Sequence, residues 1–206
     1  MKAETSFSNN KRLKVINFFA GPGVGKSTLA AALFSRMKAE HYKVEFVQEF
    51  AKDMVWDERY HTMLEQDYVF ANQHHLIRRL TRHDVKYAIV DSSLILGLLY
   101  APIDFPPTFK LFVLDVFNSY DNVNILLERD SNIQYVQTGR NENEEQSIEK
   151  DKEIRSLLDD NDIYYWTVPP KPLDEKVEMC LDIIKLNSPE NYKFEWEEGY
   201  MNPKNC

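Results

Sequence analysis

Five short apolar runs alternate along the chain with longer stretches in which apolar residues return every three or four positions. The runs Lys14–Ala20, Lys43–Gln48, Lys86–Ser93, Asn122–Arg129 and Ile163–Val168 are compact enough to be strands. Between them, Leu29, Leu33 and Met37 recur at the spacing of a helix from Lys26 to about Glu40. A helical region after the second run breaks around "WDERYHT". A long helix from Met63 to about His83 follows, with Leu64, Tyr68, Leu76 and Leu80 on one side. "LILGLLY" begins another helical segment, which "APIDFPP" interrupts with three prolines before a helix over 108–119. Glu144–Asp160 reads as a helix with Ile148, Ile154, Leu157 and Leu158 as its apolar set. Pro172–Leu186 closes the pattern, with a proline suited to the first turn.

Strands that alternate with helices predict an α/β fold, a parallel sheet covered on both faces. No internal repeat or domain break appears, so residues 13–186 read as one domain. Residues 1–12 are expected to be loose, and 187–206 form an acidic, aromatic tail.

Composition narrows the picture. The formal net charge of −8 disfavours binding to a phosphate backbone, which rewards Lys and Arg. The two cysteines, Cys180 and Cys206, give no metal-ligand spacing and no disulfide framework. No signal-peptide core and no membrane-length apolar run occur, so a reduced, cytoplasmic protein without membrane contact is expected.

The chemistry starts at "AGPGVGKS", Ala20 to Ser27. It fits the phosphate-loop pattern with alanine in the usual first-glycine position, and it lies between a strand and a helix. Gly21, Gly23 and Gly25 are read as letting backbone N–H groups curve around phosphate oxygens. Pro22, Val24 and Thr28 complete the binding segment. The helix N-terminus aims its positive end at the same anion. Lys26 is the candidate for the β- and γ-phosphates, and Ser27 for Mg²⁺.

Two acids end strands near this loop. Asp91, after "YAIV", is either a second Mg²⁺ ligand or the cap of the following helix. Glu49, after "KVEFVQ", is either a proton acceptor or sugar-hydroxyl ligand on the acceptor side, or a solvated charge. Arg140 lies in the polar connection after the fourth strand, where a cation can stabilise charge in a transferring phosphoryl group. Arg129 is a weaker candidate for that role. Gln73 either faces an acceptor base or is a solvated helix position.

With these residues in view, the chain resembles the P-loop kinase-like family that includes the ribosylnicotinamide kinase domain of bifunctional NAD-biosynthesis regulators. The resemblance runs through "GPGVGKST", "QEF", "DYVFANQHHL", "IVDSS", "YDNVNILLERDSNIQYVQTGR" and "EIRSLLDDNDIYYWTV". More distantly, Glu49, Gln73 and "VDSS" are similar to deoxynucleoside kinases, and phage kinases acting on a hydroxymethylated DNA base are also P-loop proteins of about this size. The resemblance implies a three-layer P-loop NTPase fold with a five-stranded, mostly parallel sheet in the order 2-3-1-4-5. It also implies ATP with Mg²⁺, and a nucleoside-like small-molecule acceptor. "DSS" lacks the arginine found in deoxynucleoside kinases, and no segment corresponds to an adenylyltransferase domain. A DNA-base kinase and a nucleotide-dependent switch stay open as alternatives, as do monomer and homodimer.

Overall fold

The computed structural model describes residues 13–130 and 143–188. Residues 1–12, the tail beyond 188, Cys206 and Arg140 fall outside the described residues. The five strands are β1 (Lys14–Phe19), β2 (Val44–Val47), β3 (Tyr87–Val90), β4 (Asp121–Leu127) and β5 (Trp166–Val168). They form one sheet in the order β2-β3-β1-β4-β5, and every pair is parallel. The fold class and strand order expected from the sequence are borne out.

β1 is buried along its whole length, as the central strand of a sheet covered on both sides must be. Its alternate residues feed two cores. Val15 and Phe19 join helices α3 (Gln66–Arg78), α4 (Pro107–Asn118) and α5 (Glu144–Asp160) on one face, through Phe70, Ile77, Phe117, Ile154 and Leu158. Ile16 and Phe18 meet α1 (Lys26–Ala39) and α6 (Leu173–Leu186) on the other, through Leu29, Leu33, Met37 and Leu181. Cys180 lies in this second core, where burial pushes its thiol up to about 12 and leaves it a small apolar side chain. Asn17 interrupts the apolar pattern of β1. Its Nδ2 donates to Asn122 Oδ1 at 2.9 Å and Asn124 Oδ1 at 3.1 Å, tying β1 to β4 by side chains as well as by the ladder.

The long helix expected over 63–83 is divided. A 3-10 turn, Thr62–Leu64, precedes α3, and a second, Arg79–Arg82, follows it. The buried face also differs from the expected stripe. Leu64 and Tyr68 are exposed, while Gln66, Phe70, Gln73 and Ile77 are buried. The spacing 66, 70, 73, 77 makes the tighter seam, but two of its four members are glutamines, which hides it from a reading by hydropathy. α5 repeats the lesson: Ile148 is exposed and Ser147 is fully buried. Leu94–Leu99 is a 3-10 segment rather than an α-helix, and β5 is shorter than the apolar run that predicted it. A seven-residue helix, α2 (Phe50–Trp56), follows β2.

Because all strands run the same way, their C-terminal ends share one edge of the sheet. The register sets Val90 level with Asn17 on one side and Val47 on the other. Glu49, Asp91 and the loop after Phe19 therefore emerge at nearly the same height, side by side. Arg129 leaves β4 at the same edge.

Candidate active site

The loop from Ala20 to Gly25 opens on a helix with nothing of its own at the N-terminus. Gly25 stands at the cap position of α1 with φ 102°, no side chain caps the first turn, and no acid lies within it. Only glycine adopts that left-handed conformation without strain, so the residue is dictated by backbone geometry. A helix start with uncapped N–H groups and a positive dipole end is a site for an anion. α5 is the counter-example in the same molecule: Asn143 and Gln146 cap it reciprocally, each side chain accepting the other's backbone N–H at 2.9 Å.

Lys26 Nζ donates to the carbonyl of Ala20 at 2.6 Å, so the ammonium is folded over the loop. It also lies close enough to Glu49 to favour that carboxylate's ionisation. Ser27 and Thr28 are exposed at the helix start.

Gly21 has a different reason from the one its sequence position suggested. Its φ is not in the left-handed region, unlike Gly23 at 85° and Gly25. A Cβ at Gly21 would instead meet the Ser147 carbonyl at 2.5 Å and Asp151 Oδ1 at 2.6 Å. Glycine is needed here for the approach of α5, not for curvature around a ligand. The Gly21 N–H donates to Asp151 Oδ1 at 2.6 Å. Arg129 donates through Nε to Asp151 Oδ2 at 2.6 Å, and through Nη2 to Ser147 Oγ at 2.6 Å and the Pro22 carbonyl at 3.1 Å. The Ser147 hydroxyl also donates to the Pro22 carbonyl. Arg129 is thus engaged with the loop's frame. Ser147 and Asp151 were missed in the sequence; their spacing with Ile154 and Leu158 on one helix face is the signal that could have found them.

On the other side of the loop, Asp91 is 4% exposed, and among the described residues its Oδ1 has no hydrogen-bond partner. Ser93 Oγ, two residues on, is likewise buried and without a partner. Glu49, two residues past β2 and at the cap position of α2, is partly buried next to Asp91, Lys26 and Ser92. Burial, with Asp91 as a second cause, pushes its carboxyl above the usual glutamate range, against the pull of Lys26, Lys52 and a Ser92 hydrogen bond. Gln73 neither faces the cleft nor lies in solvent. Its Oε1 accepts the Phe50 N–H at 2.8 Å and its Nε2 donates to the Gln48 carbonyl at 3.2 Å. It grips the chain on each side of Glu49.

A cleft of about 430 Å³ extends from Gly23 and Val24 along Arg129 to Pro170 and Lys171. A larger groove of about 620 Å³, between Leu64 and Phe112, is mostly apolar and brings no cation to its lining. Of the two, the smaller reaches the glycine loop, at Gly23 and Val24. Among the described residues no three His, Cys, Asp or Glu side chains are grouped to hold a metal ion, and no helix is long and apolar enough to cross a membrane.

Fold, loop and strand-end acids define a P-loop protein with the kinase-like sheet order, as the sequence resemblance implied. The AAA-domain family matches residues 15–176, and the chain belongs to that family. No curated protein matches it. Among solved structures, NadR protein in complex with NR is similar, with 17% identity and a TM-score of 0.59, covering 89% of this chain and 53% of that one. NadR in complex with NAD and AMP-PNP gives 14% and 0.59, covering 90% and 52%. Deoxyadenosine kinase from M. mycoides with bound dATP gives 18% and 0.52, covering 85% and 100%. The chain thus spans about half the length of the NadR chains. At these identities the likeness is one of fold.

Proposed function

We propose that the protein is a phosphotransferase that moves the γ-phosphoryl group of ATP to a hydroxyl of a nucleoside-like or nucleotide-like small molecule. The observation that carries this is the pairing of an uncapped phosphate loop with a partly buried carboxylate, Glu49, that lies beside Lys26 and Asp91 at the same sheet edge. A switch needs only the loop. Transfer to an acceptor also needs a base, and a carboxyl shifted toward neutrality is a better one.

In this reading the N–H groups of residues 23–28 and the Lys26 ammonium hold the triphosphate. The base of the nucleotide lies in the cleft toward Pro170 and Lys171. Glu49 takes the proton of the acceptor hydroxyl as its oxygen attacks the γ-phosphorus, and ADP leaves with the electron pair of the broken bond. Ser27 and Asp91 are the residues that would hold a Mg²⁺ ion; the buried Asp91 oxygen, without a partner among the described residues, supports that fit. Such an ion neutralises phosphate charge. Arg140 stays a candidate cation for the same charge, outside the described residues. Support for a nucleoside-like acceptor comes from deoxyadenosine kinase and from NadR with bound NR, whose folds this chain shares.

The test is a screen of nucleosides, mononucleotides and nicotinamide riboside with MgATP, reading ADP release. At least one acceptor is expected to raise turnover well above the acceptor-free rate. Equal turnover with and without every acceptor would contradict the proposal.

A further inference from the structure

We infer that Asp151 and Arg129 are positioning residues for the phosphate loop: a charge-neutral brace, carried by α5 and the end of β4, that holds Gly21 and Pro22 so that the following N–H groups are set for phosphate. The inference rests on the reading that this loop binds ATP, and its test separates the two.

The polar groups that meet at the contact are paired with one another. One Asp151 oxygen takes the Gly21 N–H at 2.6 Å and the other takes Arg129 Nε at 2.6 Å. Arg129 Nη2 reaches Ser147 Oγ at 2.6 Å and the Pro22 carbonyl at 3.1 Å, and Ser147 is fully buried beneath them. The ion pair is mostly shielded, with side chains 19% and 27% exposed. The approach is so close that no Cβ fits at Gly21. Two consecutive loop residues are thus fixed by N–H and carbonyl alike. The left-handed turns at Gly23 and Gly25 come after the braced pair, so the N–H groups that follow remain available to an anion.

A carboxylate beside a loop that receives a triphosphate would by itself oppose binding. Arg129 cancels its charge, and this gives the brace a signature that simple packing lacks. Removing the arginine leaves an uncompensated anion next to the phosphates; removing the aspartate charge as well lifts that penalty. Asp151→Asn keeps an oxygen for the Gly21 N–H, whereas Asp151→Ala does not.

The experiment titrates a non-hydrolysable ATP analogue with Mg²⁺ into wild type, Arg129→Ala, Asp151→Asn, Asp151→Ala and the double variant Arg129→Ala/Asp151→Asn, with thermal unfolding of each as a fold check. Arg129→Ala is expected to bind about tenfold more weakly, and the double variant to recover a clear part of that loss. Asp151→Ala is expected to be weaker by about tenfold and Asp151→Asn to stay within about threefold of wild type, a comparison that holds even where Arg129→Ala does not fold. Unchanged affinity in Arg129→Ala and Asp151→Ala overturns the inference. Tighter binding by Asp151→Ala overturns it as well, since the carboxylate would then be competing with phosphate. Wild type that binds no analogue removes the functional reading and this inference together.

Discussion

The two flanks of the phosphate loop are built on different terms. On the α5 side, Asp151, Arg129 and Ser147 use their polar atoms on one another and on the backbone of Gly21 and Pro22. On the α3 side, Gln73 is likewise spent on backbone, but the residues it surrounds are not. Among the described residues Asp91 Oδ1 and Ser93 Oγ are buried without partners, and burial raises the proton affinity of Glu49. Buried polar groups without partners are costly, so they mark places where something other than stability is served. In the proposed reading the first flank frames the donor, and the second holds the acids that would act on the acceptor.

The division has consequences that can break it. The largest effect should come from Glu49→Gln, which removes the base but leaves the loop intact. Phosphoryl transfer is expected to fall by about 10²–10⁴-fold, read as kcat with saturating acceptor. Retention of most of the rate would remove Glu49 from the chemistry. The raised proton affinity also fixes two signs. Transfer should rise with pH through a pKa above the ordinary glutamate range, since the ionised form is the base. Ionised Glu49 costs stability, and the favourable contribution of its protonated form is complete only at pH below the unfolded-state pKa. It is lost as pH rises through the folded-state value, so Glu49→Gln should unfold at a higher temperature than wild type at neutral pH, with the gap closing in acid. Thermal melts over a pH series read both ends.

Lys26→Ala tests the donor flank. It is expected to lower kcat/KM for ATP by about 10²–10³-fold, because a preorganised cation at the transferring phosphates is lost. A drop of less than tenfold would place the phosphates elsewhere. The smallest effect sharpens the comparison. Gln73→Ala leaves the Phe50 N–H and the Gln48 carbonyl without partners and should cost about 1–3 kcal/mol in denaturant unfolding. It should slow transfer by loosening Glu49 while leaving ATP binding nearly untouched. An equal loss in ATP affinity would show that the two flanks are not independent.

Much of this was legible in the chain. The apolar runs located all five strands, and "AGPGVGKS" located the loop, because backbone periodicity and glycine requirements are local properties. Glu49 and Asp91 were singled out by their places after strands, and a parallel sheet brings such ends together. What escaped was the polar part of buried helix faces. Gln66 and Gln73 on α3, and Ser147 and Asp151 on α5, sit in 4-3-4 seams where a hydropathy pattern sees gaps. Leu64, Tyr68 and Ile148, which looked like the seams, are exposed. Arg129 read as a weaker candidate for stabilising phosphoryl charge; its partners lie 18 and 22 residues further along on α5, a distance only the folded chain closes.

The account stands most directly on the separation of donor and acceptor roles. The measurement is calorimetric titration of a non-hydrolysable ATP analogue, with Mg²⁺, into the Glu49→Gln variant. Affinity equal to or tighter than wild type is expected, because one negative charge near Lys26 has been removed and no phosphate contact has been lost. Binding weakened tenfold or more would contradict the account and put Glu49 on the donor side.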